Sequence, residues 1–197
     1  GPWALRLAKP ATLSFAHAKA RLGEAHFTVA DGTVDIAEFL WDEGRITSSG
    51  HFAAVPVATV ARLAGRPLPL RSTLTMGGDW SLAATPRLSG SVSVRREQGD
   101  LWLVRQSEAG IENRAAGITE LEGRAQVQDD AMQATARFRS SRGGSADATL
   151  KIAADPKEPG RISPDAPLAM TLVADLASLD LVQPWAGTAA LVDGRVH

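Results

Sequence analysis

The sequence has no cysteine in its 197 residues, which excludes disulfides, thiolate metal ligands and cysteine nucleophiles. Tyrosine is also missing, and aromatic residues make up only 5% of the chain. The 21 basic and 22 acidic residues give a formal net charge of −1, so there is no basic field to attract nucleic acid. No segment approaches the roughly 20 consecutive apolar residues that a membrane-spanning helix requires.

Motifs that carry catalysis or bind cofactors are missing as well. The four histidines, His17, His26, His51 and His197, do not have the spacing of metal ligands. The sequence has neither a Gly-x-Ser-x-Gly nucleophile elbow nor a phosphate-binding loop. Glu120, Glu122 and Arg124 alternate on one strand face, which is typical of a solvated surface. We therefore predict a non-enzymatic protein without a metal site or a cofactor.

What the sequence does contain is alternation of apolar and polar residues with a period of two, which is typical of half-buried strands. The clearest case is Met132, Ala134, Ala136 and Phe138, interleaved with Gln133, Thr135, Arg137 and Arg139. Similar alternation is found over 12–15, 25–29, 70–76, 88–94, 146–152 and 168–174. Short turn signals occur at 31–32, 43–44, 77–79, 98–100, 129–130 and 142–144. The pattern predicts an all-β fold, a long antiparallel meander without helical crossovers.

Two segments are predicted to be short helices. Residues 56–64 begin with a proline at a plausible first helical position and are followed by Gly65. Residues 177–182 are a weaker second helix, closed by Gln183 and Pro184. The proline-rich stretch 155–167 is predicted to be a loop.

The chain is interpreted as one continuous β segment over residues 3–197 of a longer, repetitive protein. Gly1 and Pro2 are typical of the scar left by a tag-removing protease. When the segment around Gly78 is aligned with the segment around Gly194, the chain divides into possible repeat units of about 50–165 and of 166–197 onward.

A sheet with one apolar face cannot leave that face in water. Burial of apolar surface is worth ~25 cal/mol per Å², so several hundred exposed Å² would cost on the order of 10 kcal/mol. The face must be covered by a second sheet, by curling of the sheet on itself or by an apolar ligand. Alanine occupies many of the apolar positions, for example Ala134, Ala136 and Ala148, which suits either a tightly packed sandwich or a groove with room for acyl chains.

Two consecutive segments resemble the TamB family of the translocation and assembly module, which belongs to the AsmA-like group. The first runs Leu68-Pro-Leu-Arg-Ser-Thr-Leu-Thr-Met-Gly-Gly-Asp-Trp80 and the second Leu88-Ser-Gly-Ser-Val-Ser-Val-Arg-Arg-Glu-Gln-Gly-Asp-Leu-Trp102. The segments at 118–124 and 176–179 continue the likeness in the same order. The resemblance covers most of residues 50–197 and is weaker before residue 50.

The resemblance implies a periplasmic segment of an inner-membrane-anchored protein of a Gram-negative bacterium. Such a segment would be a long curled sheet, a β-taco, whose apolar groove carries phospholipid acyl chains toward the outer membrane. The parent protein would work with an Omp85-type barrel partner in outer-membrane biogenesis and protein secretion. The resemblance, combined with the alternation, predicts that the following residues line the groove: Leu13, Phe15, Phe27, Leu74, Met76, Val92, Val94, Phe138, Leu150, Ile152, Met170 and Leu172.

Two alternatives to a lipid conduit stay open at this point. A chaperone-like scaffold would hold unfolded strands of barrel proteins or autotransporters by β-augmentation. A closed β-sandwich would have a dry core and a purely structural role.

Overall fold

Strands account for most of the chain in the computed structural model, which describes residues 5–65, 68, 70–107, 110–163 and 165–176. Within these residues there are fifteen strands and one helix. The strands are β1 (Leu5–Leu7), β2 (Leu13–Ala16), β3 (Lys19–Leu22), β4 (Ala25–Val29), β5 (Gly32–Asp42), β6 (Arg45–Pro56), β7 (Arg71–Ser72), β8 (Thr75–Ala84), β9 (Leu88–Gln98), β10 (Leu101–Ser107), β11 (Gly110–Ala115), β12 (Ile118–Gln128), β13 (Ala131–Ser140), β14 (Gly144–Ile152) and β15 (Leu168–Leu176).

Twelve of the strands form one antiparallel sheet, and this confirms the predicted all-β class. Its main path runs β1-β4-β5-β6-β8-β9-β12-β13-β14-β15, with the hairpin β2–β3 joined to the far half of β5. The remaining three strands form a small sheet in the order β11-β10-β7. The large sheet is open, with β1 and β15 at the two ends of its path.

The helix α1 (Val57–Leu63) lies within the predicted segment 56–64. Pro56 is its N-cap residue, in extended conformation, and Ala64 follows its last turn. The predicted second helix at 177–182 lies outside the described residues, and so does Gly194, on which the repeat alignment depends. The predicted loop is confirmed, because 155–167 contain no strand or helix where the chain is described.

Three details of the predicted meander are wrong. Residues 77–79 are not a turn but the interior of β8, where Gly78 pairs with Phe52 on one side and with Val94 on the other. Residues 70–76 are not one strand, because β7 ends at Ser72 and joins the small sheet. The path also departs from a simple meander, since β9 pairs with β12 and the hairpin β10–β11 is inserted between them.

Two segments inserted between strands of the large sheet, one between β6 and β8 and one between β9 and β12, pack together into a second unit. We call the described residues of 57–74 and 99–117, which contain α1, β7, β10 and β11, the cap. Its centre is a buried cluster of Leu74, Ala116 and Ile118. Val57 and Leu101 pack on the cluster from within the cap, and Leu121 and Phe138 pack on it from the large sheet. The cap therefore covers the end of one face of the large sheet, at the start of β12 and the end of β13.

Asp100 joins the cap to the large sheet. Its carboxylate accepts hydrogen bonds from the backbone N–H groups of Leu101 (2.8 Å), Gly117 (2.8 Å) and Ile118 (3.2 Å). Its own backbone N–H donates to the Thr73 hydroxyl at 3.0 Å, and its carbonyl accepts from the Thr73 N–H at 2.9 Å. The side chain of Asp100 thus fixes the entry to β10 and the start of β12, and its backbone holds the residue after β7.

Candidate functional site: an open apolar face

The strand registers show that one face of the large sheet is apolar across its whole width. A single cross-strand row passes through all ten strands of the main path, and every member of it is apolar or glycine. The row consists of Leu7, Phe27, Val34, Phe52, Gly78, Val94, Gly123, Ala136, Ala148 and Leu172. With neighbouring strands ~4.8 Å apart, this row is about 43 Å long. We call this side of the sheet the apolar face.

Eleven of the twelve predicted groove residues lie on this face, and they are distributed over its whole width. Phe27, Val94 and Leu172 belong to the row above, and Val92, Leu150 and Met170 belong to the next row along the strands. Leu13, Phe15, Met76, Phe138 and Ile152 lie on the same face by the register of their strands. Leu74 is the exception in position: it lies between β7 and β8 and is only 2% exposed, in the centre of the cap.

Several residues on this face were not among the predicted ones, notably Val34, Ile36, Phe52, Trp80 and Leu82. β-Bulges limit the regular alternation in β5 and β6 to short runs. The register shifts between Ile36 and Glu38 in β5, and between Phe52 and Val55 in β6. Each shift breaks the period of two while keeping the flanking apolar residues on the same face. The alternation after Gly78 does indicate Trp80 and Leu82, but the glycine pair before them predicts a turn where the structure has the interior of β8.

Large side chains on the apolar face lie over glycines of neighbouring strands. A Cβ atom added to Gly50 would be 2.5 Å from two ring carbons of Trp80, and one added to Gly78 would be 2.8 Å from Phe52. The Trp80 indole N–H donates to the Ser48 hydroxyl at 3.0 Å, which holds the ring along β6. The two aromatic rings therefore cover the backbone between β6 and β8 and leave it no room for further side chains.

The apolar face is exposed at both of its sides among the described residues. At its β15 side Leu168, Met170 and Leu172 are 61%, 63% and 57% exposed, and at the opposite side Phe15 is 73% exposed. Ala136 in β13, two strands in from β15, is exposed as well. In the middle strands the row members are half-buried, and Gly78 is buried.

The opposite face of the sheet is polar and held by charge pairs. Asp147 on β14 accepts hydrogen bonds from Arg139 (2.8 Å) and Arg137 (3.2 Å) of β13. Its hydrogen bond with Arg139, and then that with Arg137, holds the pKa of Asp147 below its ordinary value. The pKa of Arg137 is raised, first by the hydrogen bond to Asp147 and then by the charges of Glu120 and Glu122. These groups are solvent-exposed, so they set the register of the strands more than they stabilise the fold.

Asp35 forms a second polar cluster on the same face. Its carboxylate lies 2.5 Å from His26 Nδ1 and 3.0 Å from His51 Nε2, which joins β4, β5 and β6. No group of three or more histidine or carboxylate side chains in the described parts of the chain is arranged to hold a metal ion.

Two depressions in the surface are lined mainly from the polar side. One of about 660 Å³ is lined by Gln126, Gln133 and Lys151 at the ends of β12–β14, together with Ile152 and Leu168. A smaller one of about 300 Å³ is lined by Glu122, Arg137 and Asp147. The apolar face, by contrast, is a broad exposed surface, which suits a ligand that lies along it.

Comparison with known proteins found no relative. No protein-family model matches the sequence, and neither the search of curated proteins nor that of solved structures gave a match. No helix in the described ranges is long and apolar enough to cross a membrane.

Proposed function

We propose that this chain is a segment of a lipid conduit in the envelope of a Gram-negative bacterium, and that phospholipid acyl chains lie along its apolar face. The observation that carries the proposal is the unbroken apolar row across ten strands, whose members in β1, β13 and β15 are exposed. The sequence resemblance to the TamB family supports the same function, a periplasmic location and an Omp85-type barrel partner of the parent protein.

The mechanism that we propose is passive. Each CH₂ group buried against the face contributes ~0.8 kcal/mol, and this contribution has no directional requirement. An acyl chain can therefore move from one strand to the next without breaking hydrogen bonds. The long row of glycine, alanine and aliphatic side chains offers many nearly equivalent positions, as sliding requires.

The exposure of the face favours the conduit over the closed β-sandwich. In a sandwich Ala136 and Met170 would be buried, whereas both are exposed. The chaperone-like scaffold remains the second candidate, because β15 lies at the end of the pairing order among the described strands and extended segments bind to sheet edges.

Photo-crosslinking can test the proposal with a matched pair of positions on one strand. Met170 on the apolar face and Val173 on the polar face are 63% and 65% exposed. A photo-reactive amino acid is placed at either position of the chain in the bacterial periplasm, and adducts are identified by mass spectrometry. We expect phospholipid adducts at 170 and few at 173.

The other outcomes decide against the conduit. Peptides of envelope proteins crosslinked at 170 would favour the scaffold. Equal adducts at both positions, or none at either, would show that the apolar face is not a lipid path in this segment.

A further inference from the structure

The helix α1 has an inverted distribution of polar and apolar residues. Thr59 is buried, with 7% of its surface exposed, whereas Val60 and Leu63 are 48% and 42% exposed. Among the apolar residues of α1, Val57 packs against the buried cluster of Leu74, Ala116 and Ile118. Val60 and Leu63 are thus accessible to a surface outside the chain.

The cap is basic on balance, with five arginines in the sequence of its two segments against three acidic residues, Asp100, Glu108 and Glu112. Residues 57–74 contain three arginines, Arg62, Arg66 and Arg71, and no acidic residue. Arg62 and Arg71 are exposed, and so are Arg114 of β11 and Arg142 of the adjacent β13–β14 turn. Arg142 is attached to the cap by a hydrogen bond to the Ala115 carbonyl at 3.2 Å. None of Arg62, Arg71, Arg114 and Arg142 forms an ion pair with another described residue.

Two carboxylates in or next to the cap, Asp100 and Glu97, are engaged by backbone N–H groups and not by these arginines. Asp100 uses both oxygens on backbone N–H groups, and Glu97 at the end of β9 accepts from the Ala54 N–H at 2.6 Å.

We infer that the cap is a docking surface for an anionic lipid bilayer, with Val60 and Leu63 entering the headgroup region and the arginines contacting phosphate groups. Apolar tips combined with cationic side chains are what interfacial binding requires, since burial and attraction to anionic lipid add together. The inference does not rest on the conduit proposal, because Val60, Leu63 and the arginines are not part of the apolar face, whose end the cap covers at Leu121 and Phe138.

The test is co-flotation of the full chain with vesicles of phosphatidylcholine alone or with about one third phosphatidylglycerol. We expect binding to the anionic vesicles that weakens at high salt, and little binding to the neutral ones. Replacing Arg62 or Arg71 by Gln should lower vesicle affinity about fivefold per arginine. Val60→Ser with Leu63→Ser should lower it as well. Arg45→Gln, at the opposite end, and Val173→Ser, on the polar face, are matched controls that should bind like the parent chain.

Three results would overturn the inference. Equal binding to neutral and anionic vesicles would show that the charge of the lipid does not contribute to binding. Unchanged binding of the cap variants, with circular dichroism confirming that they fold, would place the lipid contact elsewhere. Salt-sensitive binding to polyglutamate without binding to anionic vesicles would assign the surface to an acidic protein. Loss of vesicle binding in the cap variants with crosslinking at 170 retained would separate this docking surface from the conduit.

Discussion

At the scale of single residues, glycine has a packing role on the apolar face. Gly50 and Gly78 have ordinary extended backbone, so neither is needed for a left-handed conformation. They are needed because Trp80 and Phe52 occupy the space in which a side chain would lie. This explains why the pair Gly77-Gly78 was misread as a turn: the sequence shows the glycines but not the rings from the neighbouring strand that exclude a Cβ atom.

We predict that Gly50→Ala destabilises the fold by about 1–3 kcal/mol, the usual cost of forcing extra volume into a packed site. The added methyl would lie 2.5 Å from the Trp80 ring and would also contact the Asp35 carbonyl oxygen, so both ring and backbone must move. The free energy of unfolding from urea titration followed by tryptophan fluorescence measures the change.

Gly23→Ala is the matched control for this prediction. The nearest atom to a Cβ at Gly23 is the Thr12 carbonyl oxygen at 3.9 Å, an ordinary contact. We expect this variant to be neutral or slightly stabilised, because alanine reduces the freedom of the unfolded chain. Equal losses in both variants would mean that Trp80 does not determine the need for glycine at position 50.

At the scale of elements, the sequence predicts regular strands well and irregular ones poorly. β13 and β14 were recognised because their alternation is unbroken and they pair residue by residue over their whole length. In β5 and β6 the bulges displace the alternation, and in β8 the glycines conceal it. The cap was not predicted at all, because it is assembled from two insertions that are distant in sequence and joined by backbone contacts of Asp100.

We predict that Asp100→Ala loosens the cap while leaving the centre of the large sheet intact. The substitution removes the acceptor of three backbone N–H groups, and an unsatisfied buried group costs about 1–3 kcal/mol. Hydrogen exchange followed by mass spectrometry should show faster exchange over 71–74 and 99–118. Peptides from β13 and β14 should exchange as in the parent chain.

Asp31→Ala serves as the control, since Asp31 is an exposed residue of the β4–β5 turn. It should change exchange only in its own peptide. If Asp100→Ala accelerated exchange throughout the large sheet, the cap would be part of one cooperative unit with it and not a separable element.

At the scale of the whole molecule, the core is shallow for a sheet of this size. The buried apolar residues in the described part of the chain are Ala25, Val29, Val55, Leu74, Ala116, Ile118 and Val127. No large side chain among them is fully enclosed. The twelve-stranded sheet is therefore held mainly by its ladder of backbone hydrogen bonds and by partial burial, and the side chains of its apolar face are still accessible to a ligand.

A ligand that covers this face should consequently stabilise the fold, because binding to the native state alone shifts the unfolding equilibrium by mass action. We predict that short-chain phosphatidylcholine below its micellar concentration raises the thermal midpoint of the full chain. A lipid concentration of a hundred times the dissociation constant stabilises the native state by about 2.7 kcal/mol, which raises the thermal midpoint by roughly 5–10 °C for a chain of this length.

Met170→Ser combined with Leu172→Ser should reduce the rise, since it removes two exposed members of the apolar face, whereas Val173→Ser on the polar face should preserve it. Each variant is compared with its own lipid-free midpoint, so a change in intrinsic stability does not enter the comparison. An equal rise in all three proteins would locate the lipid away from the β15 side of the apolar face, and no rise in the parent chain would contradict lipid binding by this face.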